Sequence, residues 1–157
     1  MQKYIEEIYN HNKWELDMFG YDPMSCDDTK KDSYIYAWFT KNSAKKYFYV
    51  GKGKKDRYRH ILWDIRAVEN NSKKYKGRKY KVLKDNIGID CEFLYINLTE
   101  REAVILEAYT MIEMYKNKQP LLNVIIPTVI MNNEELVNYR DSYFYEKDVS
   151  KFLEFYK

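Results

Sequence analysis

Short runs of aromatic and β-branched residues predict three β-strands in this chain. The first run covers 33–40, and the second covers 47–50 and ends at Gly51. The polar turn at 41–45 joins them, so these two strands are expected to form a β-hairpin. The third run, 91–98, lies much further along the chain. The third strand can therefore join the hairpin in one sheet only after an intervening helical region.

Apolar residues at helical spacing predict helices around these strands. An amphipathic helix is expected within residues 1–20. Asp56 is a candidate N-cap for a helix over 57–68, because its carboxylate can accept hydrogen bonds from the first turn. A strongly basic helix is expected over 72–86, where Gly88 marks its end.

The clearest helix signal follows the third strand. Thr99 with Glu102 three residues later is a capping box, and apolar positions then recur at helical spacing up to Pro120. Residues 121–131 are expected to be extended, and 133–157 to form one or two short helices. This order predicts an α+β fold, in which a small mixed or antiparallel sheet packs against helices. Trp38 and Trp63 are expected in the core.

The chain has a net charge of only +3, but the charge is unevenly distributed. Sixteen Lys and Arg residues and three acids lie between Lys41 and Lys84, which gives this stretch a charge of +13. The rest of the chain carries −10. A solvated lysine-rich surface is the simplest interpretation of a short charge run, whereas an asymmetry this long favours a phosphate-rich partner. It does not separate a binding protein from an enzyme.

No segment is typical of secretion or membrane insertion. Residues 1–7 contain acids where a signal peptide needs an apolar run. No run approaches the roughly 20 apolar residues that span a bilayer. Cys26 and Cys91 are isolated and lack metal-ligand spacing. We therefore expect no membrane partner and a cytoplasmic protein.

Four residues have the side chains that phosphodiester cleavage requires. Such a reaction needs an activated water, stabilisation of the charge on the phosphate, and neutralisation of the leaving oxygen. Tyr36 and Tyr49 lie on the two strands of the hairpin, and Arg57 follows the glycine- and lysine-rich loop. Glu107 lies in an otherwise apolar part of the long helix, where a carboxylate is costly to bury without a partner such as a cation.

These residues lie in motifs that resemble those of the GIY-YIG nucleases. Tyr34-Ile35-Tyr36 is similar to the first tripeptide, and Tyr49-Val50-Gly51 with the following loop is similar to the YVGKG variant of one branch. The segment 98–107 is similar to the one that carries the metal-binding glutamate, and 121–124 to a following Asn motif. Four motifs in the expected order, across about residues 33–125, make the resemblance specific.

The resemblance implies a three-stranded antiparallel sheet flanked by helices and one Mg²⁺ or Mn²⁺ per active site, held by Glu107. It implies that Arg57 binds the scissile phosphate and that Asn123 supports the site by hydrogen bonding. Tyr36 is the favoured proton acceptor, and Tyr49 stabilises it or shares that role. The implied catalytic core covers 33–125, with an N-terminal extension at 1–32 and a helical tail at 126–157, all in one domain.

Two departures from the motif leave alternatives open. Tyr34 stands where the first tripeptide has glycine. His60 follows Arg57 by three positions instead of four, so its catalytic role is open, and Arg59 is an alternative register for the phosphate-binding arginine. Further basic residues are candidates for nucleic-acid contact: Lys52, Lys54, Lys55, Arg59, Lys73, Lys74, Arg78 and Lys79.

The sequence therefore predicts a metal-dependent endonuclease that hydrolyses DNA. Its lysine-, tyrosine- and asparagine-rich composition is compatible with an AT-rich phage or mobile-element genome. Specificity would come from the core, from a homodimer or from a partner protein, because the extensions are too short for a separate DNA-reading domain. The alternatives are a non-catalytic nucleic-acid-binding module with the same fold and a nuclease that cuts structured RNA.

Overall fold

A computed structural model describes residues 1–70 and 77–157 of the protein. A three-stranded antiparallel sheet lies at its centre. Strand β1 (Ser33–Thr40) lies between β2 (Tyr47–Gly53) and β3 (Ile89–Leu98), and both pairings are antiparallel. The predicted hairpin and third strand are therefore confirmed, as is the α+β class with helices against an antiparallel sheet. The second strand was expected to end at Gly51, but β2 continues to Gly53 because Lys52 and Gly53 still pair with β1.

Seven helices surround the sheet in the described part of the chain. They are α1 (Lys3–Asn12), α2 (His60–Glu69), α3 (Arg78–Asn86), α4 (Glu100–Lys116), α5 (Thr128–Met131), α6 (Glu134–Phe144) and α7 (Val149–Glu154). Short 3₁₀ turns lie at Pro23–Ser25 and Arg57–Arg59. The two short helices expected in 133–157 are present as α6 and α7.

Helix α4 begins where the capping box predicts. The Thr99 hydroxyl accepts the Glu102 N–H at 3.2 Å, and the Glu102 carboxylate accepts the Thr99 N–H at 2.9 Å. The second oxygen of Glu102 accepts the Gln2 N–H at 2.8 Å. Glu102 is therefore a buried capping residue that also fixes the N-terminal segment against α4.

Three further predictions about local structure were wrong, and a fourth can be checked only over part of its residues. Asp56 makes no side-chain cap, because the chain first forms the 3₁₀ turn and α2 begins at His60. Residues 121–131 are not extended throughout, since Thr128–Met131 is helical. Trp63 is exposed instead of buried. The basic helix is present as α3, and the residues expected to begin it fall partly in 71–76, outside the described chain.

The two faces of the sheet pack against different kinds of side chain. We call the first the aliphatic layer; it contains Ile35, Ala37 and Val50 from the sheet and packs them against α1 and α4. We call the second the aromatic layer. Its buried members are Tyr34, Tyr36, Trp38, Phe48, Ile61, Ile65, Tyr80, Leu83, Leu122, Tyr143, Phe152, Leu153 and Tyr156.

Nothing in residues 1–70 or 77–157 forms a helix with the length and apolar character needed to cross a membrane.

Candidate active site

A cleft of about 1350 Å³ opens beside strand β2. All six residues predicted to be catalytic line it: Tyr36, Tyr49, Arg57, His60, Glu107 and Asn123. They come from both strands of the hairpin, the loop after it, α2, α4 and the segment that follows α4. The fold therefore brings residues from four separate motifs to one concave surface.

The two tyrosines form a stacked pair in this cleft. Their ring centroids are 6.1 Å apart with an interplanar angle of 28°. Tyr36 lies across the backbone of Gly51, where an added Cβ would come within 2.5 Å of the tyrosine hydroxyl oxygen. Glycine at this position is therefore required for Tyr36 to occupy the cleft, which gives a steric reason for the last residue of the second motif.

Strand β1 holds the loop that carries Arg57. The Tyr34 hydroxyl accepts the Tyr58 N–H at 3.0 Å and donates to the Lys55 carbonyl at 2.9 Å. The indole N–H of Trp38 donates to the Tyr58 carbonyl at 2.9 Å. Tyr34 and Trp38 flank Tyr36 on the same face of the strand. The departure from glycine at Tyr34 thus has a structural use, since this hydroxyl anchors the loop.

The loop geometry favours Arg57 over Arg59 as the phosphate-binding arginine. Arg57 lines the cleft, and its charge lowers the pKa of both Tyr36 and Tyr49, although burial outweighs this effect. Arg59 is exposed and donates from Nε to the Tyr58 hydroxyl at 3.1 Å, and it is not part of the cleft lining.

Glu107 reaches the cleft from α4, on the opposite side of the sheet from the tyrosine pair. The backbone N–H of Lys52 donates to its carboxylate at 2.9 Å, which ties α4 to the end of β2. Burial raises the pKa of Glu107 to about 6, while the charge and the backbone N–H of Lys52 lower it. A nearby cation would favour the ionised form and offset the cost of burial.

Both tyrosine hydroxyls are hard to ionise in this environment. Burial is the main cause of the raised pKa of Tyr36, with Tyr49 adding to it. Burial also raises the pKa of Tyr49 to about 12, with a further contribution from Glu107. A positive charge close to Glu107 would compensate its carboxylate, so Glu107 would then raise the pKa of Tyr49 less.

His60 packs directly against the tyrosine pair. Its ring centroid lies 4.7 Å from that of Tyr49 and 5.9 Å from that of Tyr36. Its Nδ1 lies 3.7 Å from the Asp64 carboxylate, one helical turn further along α2. The spacing of three residues after Arg57 therefore still brings His60 into the site, because the 3₁₀ turn precedes the α-helix.

Asn123 holds the segment after α4 along the free edge of β2. Its side-chain amide accepts the Val50 N–H at 3.1 Å and donates to the Val50 carbonyl at 2.7 Å. The Leu122 N–H donates to the Phe48 carbonyl at 2.7 Å. Asn123 is thus buried and takes the place of a neighbouring strand beside Tyr49, which agrees with a supporting role.

The predicted nucleic-acid contacts divide into three groups. Lys52, Arg78 and Lys79 line the cleft, although the Lys79 amine also donates to the Tyr143 and Phe144 carbonyls at the end of α6. Lys54, Lys55 and Arg59 lie outside the cleft lining, and Lys54 is 3.7 Å from both Asp32 and Glu100. Lys73 and Lys74 lie outside the described residues.

The donor set suits a hard divalent cation with few protein ligands. Within the described chain, no group of three or more His, Cys, Asp or Glu side chains is arranged to hold a metal ion. A cation at Glu107 would therefore rely on one carboxylate together with waters and substrate oxygens. Mg²⁺ commonly binds in this way, through one or two carboxylates and substrate phosphates, so the residues present fit Mg²⁺ or Mn²⁺.

Several cleft residues were not predicted from the sequence. Asp64 and Tyr80 lie near His60 and Tyr49, and the loop before Pro23 contributes Phe19 and Tyr21. The tail contributes Glu146 and Val149, among others. Only the i, i+4 spacing of His60 and Asp64 gave a signal in the sequence. The other contacts depend on tertiary packing.

Comparisons with known proteins add no further identification. No family model and no curated protein matches the sequence, and no solved structure matches the fold.

Proposed function

We propose that the protein is a metal-dependent endonuclease that hydrolyses DNA phosphodiester bonds. One observation carries the proposal: the six residues predicted to be catalytic line a single cleft, and both members of its tyrosine pair interact electrostatically with Arg57 and Glu107. This combination provides a cation, a carboxylate and hydroxyl groups around one position, which is what a phosphodiester needs for hydrolysis.

Each residue has a distinct task in this proposal. Arg57 binds the scissile phosphate through its guanidinium group, whose planar fork matches phosphate oxygens. Glu107 holds Mg²⁺ or Mn²⁺, and the ion when bound supplies positive charge to the phosphate and lowers the pKa of bound water. Asn123 keeps the end of β2 in place so that Lys52 continues to orient Glu107.

The tyrosine pair manages the proton of the attacking water. Tyr36 acts as a phenolate: its hydroxyl proton is first released to solvent, a loss that Arg57 favours and burial opposes. The phenolate then accepts the proton of the attacking water and becomes neutral again, and Tyr49 stacks against its ring throughout. His60 contacts both rings and keeps them in register. Arg57 favours ionisation of both hydroxyls, so phosphate binding and proton transfer depend on the same guanidinium group.

The distribution of charge supports nucleic acid as the substrate. The stretch from Lys41 to Lys84 carries +13, and it includes Lys52, Arg57 and Arg78 in the cleft lining. Such a concentration of positive charge attracts a polyanion and makes binding salt-dependent. We further propose that the protein acts in the cytoplasm, where Cys26 and Cys91 remain reduced thiols.

The test is cleavage of supercoiled plasmid DNA with Mg²⁺ or Mn²⁺ present. We expect the wild type to nick or linearise the plasmid, and EDTA to stop it. Glu107→Gln and Arg57→Ala should each reduce cleavage at least about a hundredfold while DNA binding persists, because removal of one charge-stabilising group costs roughly that much.

Matched controls separate catalysis from general charge effects. Glu113→Gln changes an exposed carboxylate on the same helix, and Arg66→Ala changes an exposed arginine on α2 that is outside the cleft lining. Both should cut like the wild type. Binding without cleavage under all metal conditions, on DNA and on RNA, would favour the non-catalytic binding module. Cleavage of RNA alone would favour the ribonuclease.

A further inference from the structure

The rim of the cleft carries apolar side chains that are unusually exposed for their size. Phe19 is 60% exposed and Trp63 is 45% exposed, and Val124 and Ile125, which line the same cleft, are also exposed. Exposed apolar groups clustered around a charged cleft are typical of a binding surface. Paired duplex DNA has few apolar groups that these side chains could contact, because its outer surface is phosphate and sugar.

Phe19 is held in place at a conformational cost. Its φ is 62°, a left-handed conformation that is rare and strained for a bulky residue. Asp17 fixes the turn, since its carboxylate accepts the Gly20 N–H at 2.7 Å and its carbonyl accepts the Thr128 N–H at 2.7 Å. The ring is therefore presented at the rim by an anchored turn.

Trp63 approaches the same cleft from the other side of the sheet. It lies on α2, one helical turn after His60, which contacts the tyrosine pair. Helix α2 packs into the aromatic layer, whereas the loop with Phe19 follows Leu16 of the aliphatic layer. The two aromatic side chains thus come from opposite layers and border one space.

The charge of the cleft limits what these rings can hold. Five basic residues line the same cleft against three acids, so its charge favours an occupant that carries negative charge as well as flat apolar surfaces. The bases are Lys52, Arg57, Arg78, Lys79 and Lys147, and the acids are Asp64, Glu107 and Glu146. Unpaired nucleotides combine both features, because each base has a face that stacks on an aromatic ring and each phosphate is anionic. In a paired duplex those faces are already stacked within the helix.

We propose that the cleft binds DNA with unpaired bases next to the scissile phosphate, and that Phe19 and Trp63 are the stacking surfaces for those bases. This inference rests on the proposed nuclease function for the position of the scissile phosphate. The substrate class is therefore a single strand, or a duplex interrupted by a gap or an unpaired segment.

The test compares DNA binding to three substrates of the same sequence. These are a single strand, a fully paired duplex and a single strand with abasic sites at several positions, measured by fluorescence anisotropy in the Glu107→Gln background. Trp63→Ala and Phe19→Ala should weaken binding to the intact single strand at least about fivefold, as expected for loss of one base–aromatic stack. Binding to the duplex and to the abasic strand should change less than about twofold.

Trp14→Ala is the matched control, because Trp14 is 70% exposed and is outside the cleft lining. It should leave all three affinities unchanged. Equal effects of Trp63→Ala on the single strand and the duplex, or no effect on either, would overturn the inference.

Cleavage of the same substrates by protein with Glu107 intact separates this inference from the proposed function. Equal cleavage of paired and unpaired DNA, insensitive to Trp63→Ala, would leave the nuclease standing and overturn the stacking role. Stacking-dependent binding with no cleavage of any substrate would overturn the nuclease and support Phe19 and Trp63 as base-binding residues.

Discussion

The two layers on either side of the sheet differ in composition and in what they contribute to the cleft. Among the described buried residues, eight of thirteen in the aromatic layer are aromatic, against one of eighteen in the aliphatic layer. The aromatic layer brings polar atoms into the interior on tyrosine and tryptophan side chains. The side chains of the aliphatic layer, apart from Tyr115, carry no oxygen or nitrogen atoms. Beside them on α4, Glu102 is buried as part of the helix cap, whereas Glu107 is the carboxylate that faces the cleft.

This difference shows how a small domain can build a polar site beside a stable core. Tyr34 and Trp38 fill space with their rings and use their polar atoms to hold the loop of Arg57. Burial of these groups costs little because each has a hydrogen-bond partner. Glu107 has no such compensation from its own layer, so its carboxylate depends on Lys52 and on what binds in the cleft.

The largest expected effect on stability is at Glu107. Its pKa is raised to about 6 from the usual 4.5, so the folded protein binds this proton more tightly than the unfolded chain. The stabilisation from protonation is present below pH 4.5 and is lost as pH rises through 6. Above that pH, Glu107→Gln should therefore increase the free energy of unfolding by up to about 2 kcal/mol.

Urea denaturation in EDTA from pH 4 to pH 8 measures this effect. The difference between Glu107→Gln and the wild type should shrink towards zero below about pH 4.5, and Glu113→Gln should show none because that carboxylate is exposed. A Glu107→Gln protein that is less stable than the wild type at pH 8 would mean that the carboxylate is a structural group.

A smaller effect is expected at Tyr34, in the aromatic layer. Tyr34→Phe keeps the ring but removes the hydroxyl that bonds to Tyr58 and Lys55. We expect a loss of about 1 kcal/mol in stability. DNA cleavage should slow about tenfold, because a loosely held loop positions Arg57 less well.

Tyr139→Phe is the control for this change. The Tyr139 hydroxyl donates to the Lys118 carbonyl at 2.6 Å and is not part of the cleft lining. It should cost less stability than Tyr34→Phe, because this hydrogen bond is exposed and single, and it should leave cleavage unchanged. If both variants slow cleavage equally at matched stability, the Tyr34 hydroxyl has no specific role in placing Arg57.

The sequence predicted those elements that depend on local signals. The strands 33–40 and 91–98 and the capping box at Thr99 were predicted because β-branched, aromatic and capping residues act over a few positions. Asp56 was wrongly expected to cap α2, since a 3₁₀ turn intervenes. Trp63 was wrongly expected in the core, because hydrophobicity alone does not reveal which face of a helix borders a cleft.

The site was also predictable only in part, because local sequence patterns do not show which distant segments meet. The motif order pointed to Tyr36, Tyr49 and Glu107, which the fold brings together. The loop around Phe19 and the tail around Glu146 reach the cleft through contacts between distant parts of the chain. No local pattern encodes such contacts, so these residues emerged from the structure.

The most direct test of the account is whether the two layers build one catalytic unit. Single-turnover cleavage rates should be measured for Tyr36→Phe, Glu107→Asp and the double variant, one change from each layer. We predict that the double variant is about as slow as the slower single variant, because residues that act as a unit are strongly non-additive. Rate losses that multiply, or a Tyr36→Phe protein that cuts like the wild type, would contradict a single active site shared by the two layers.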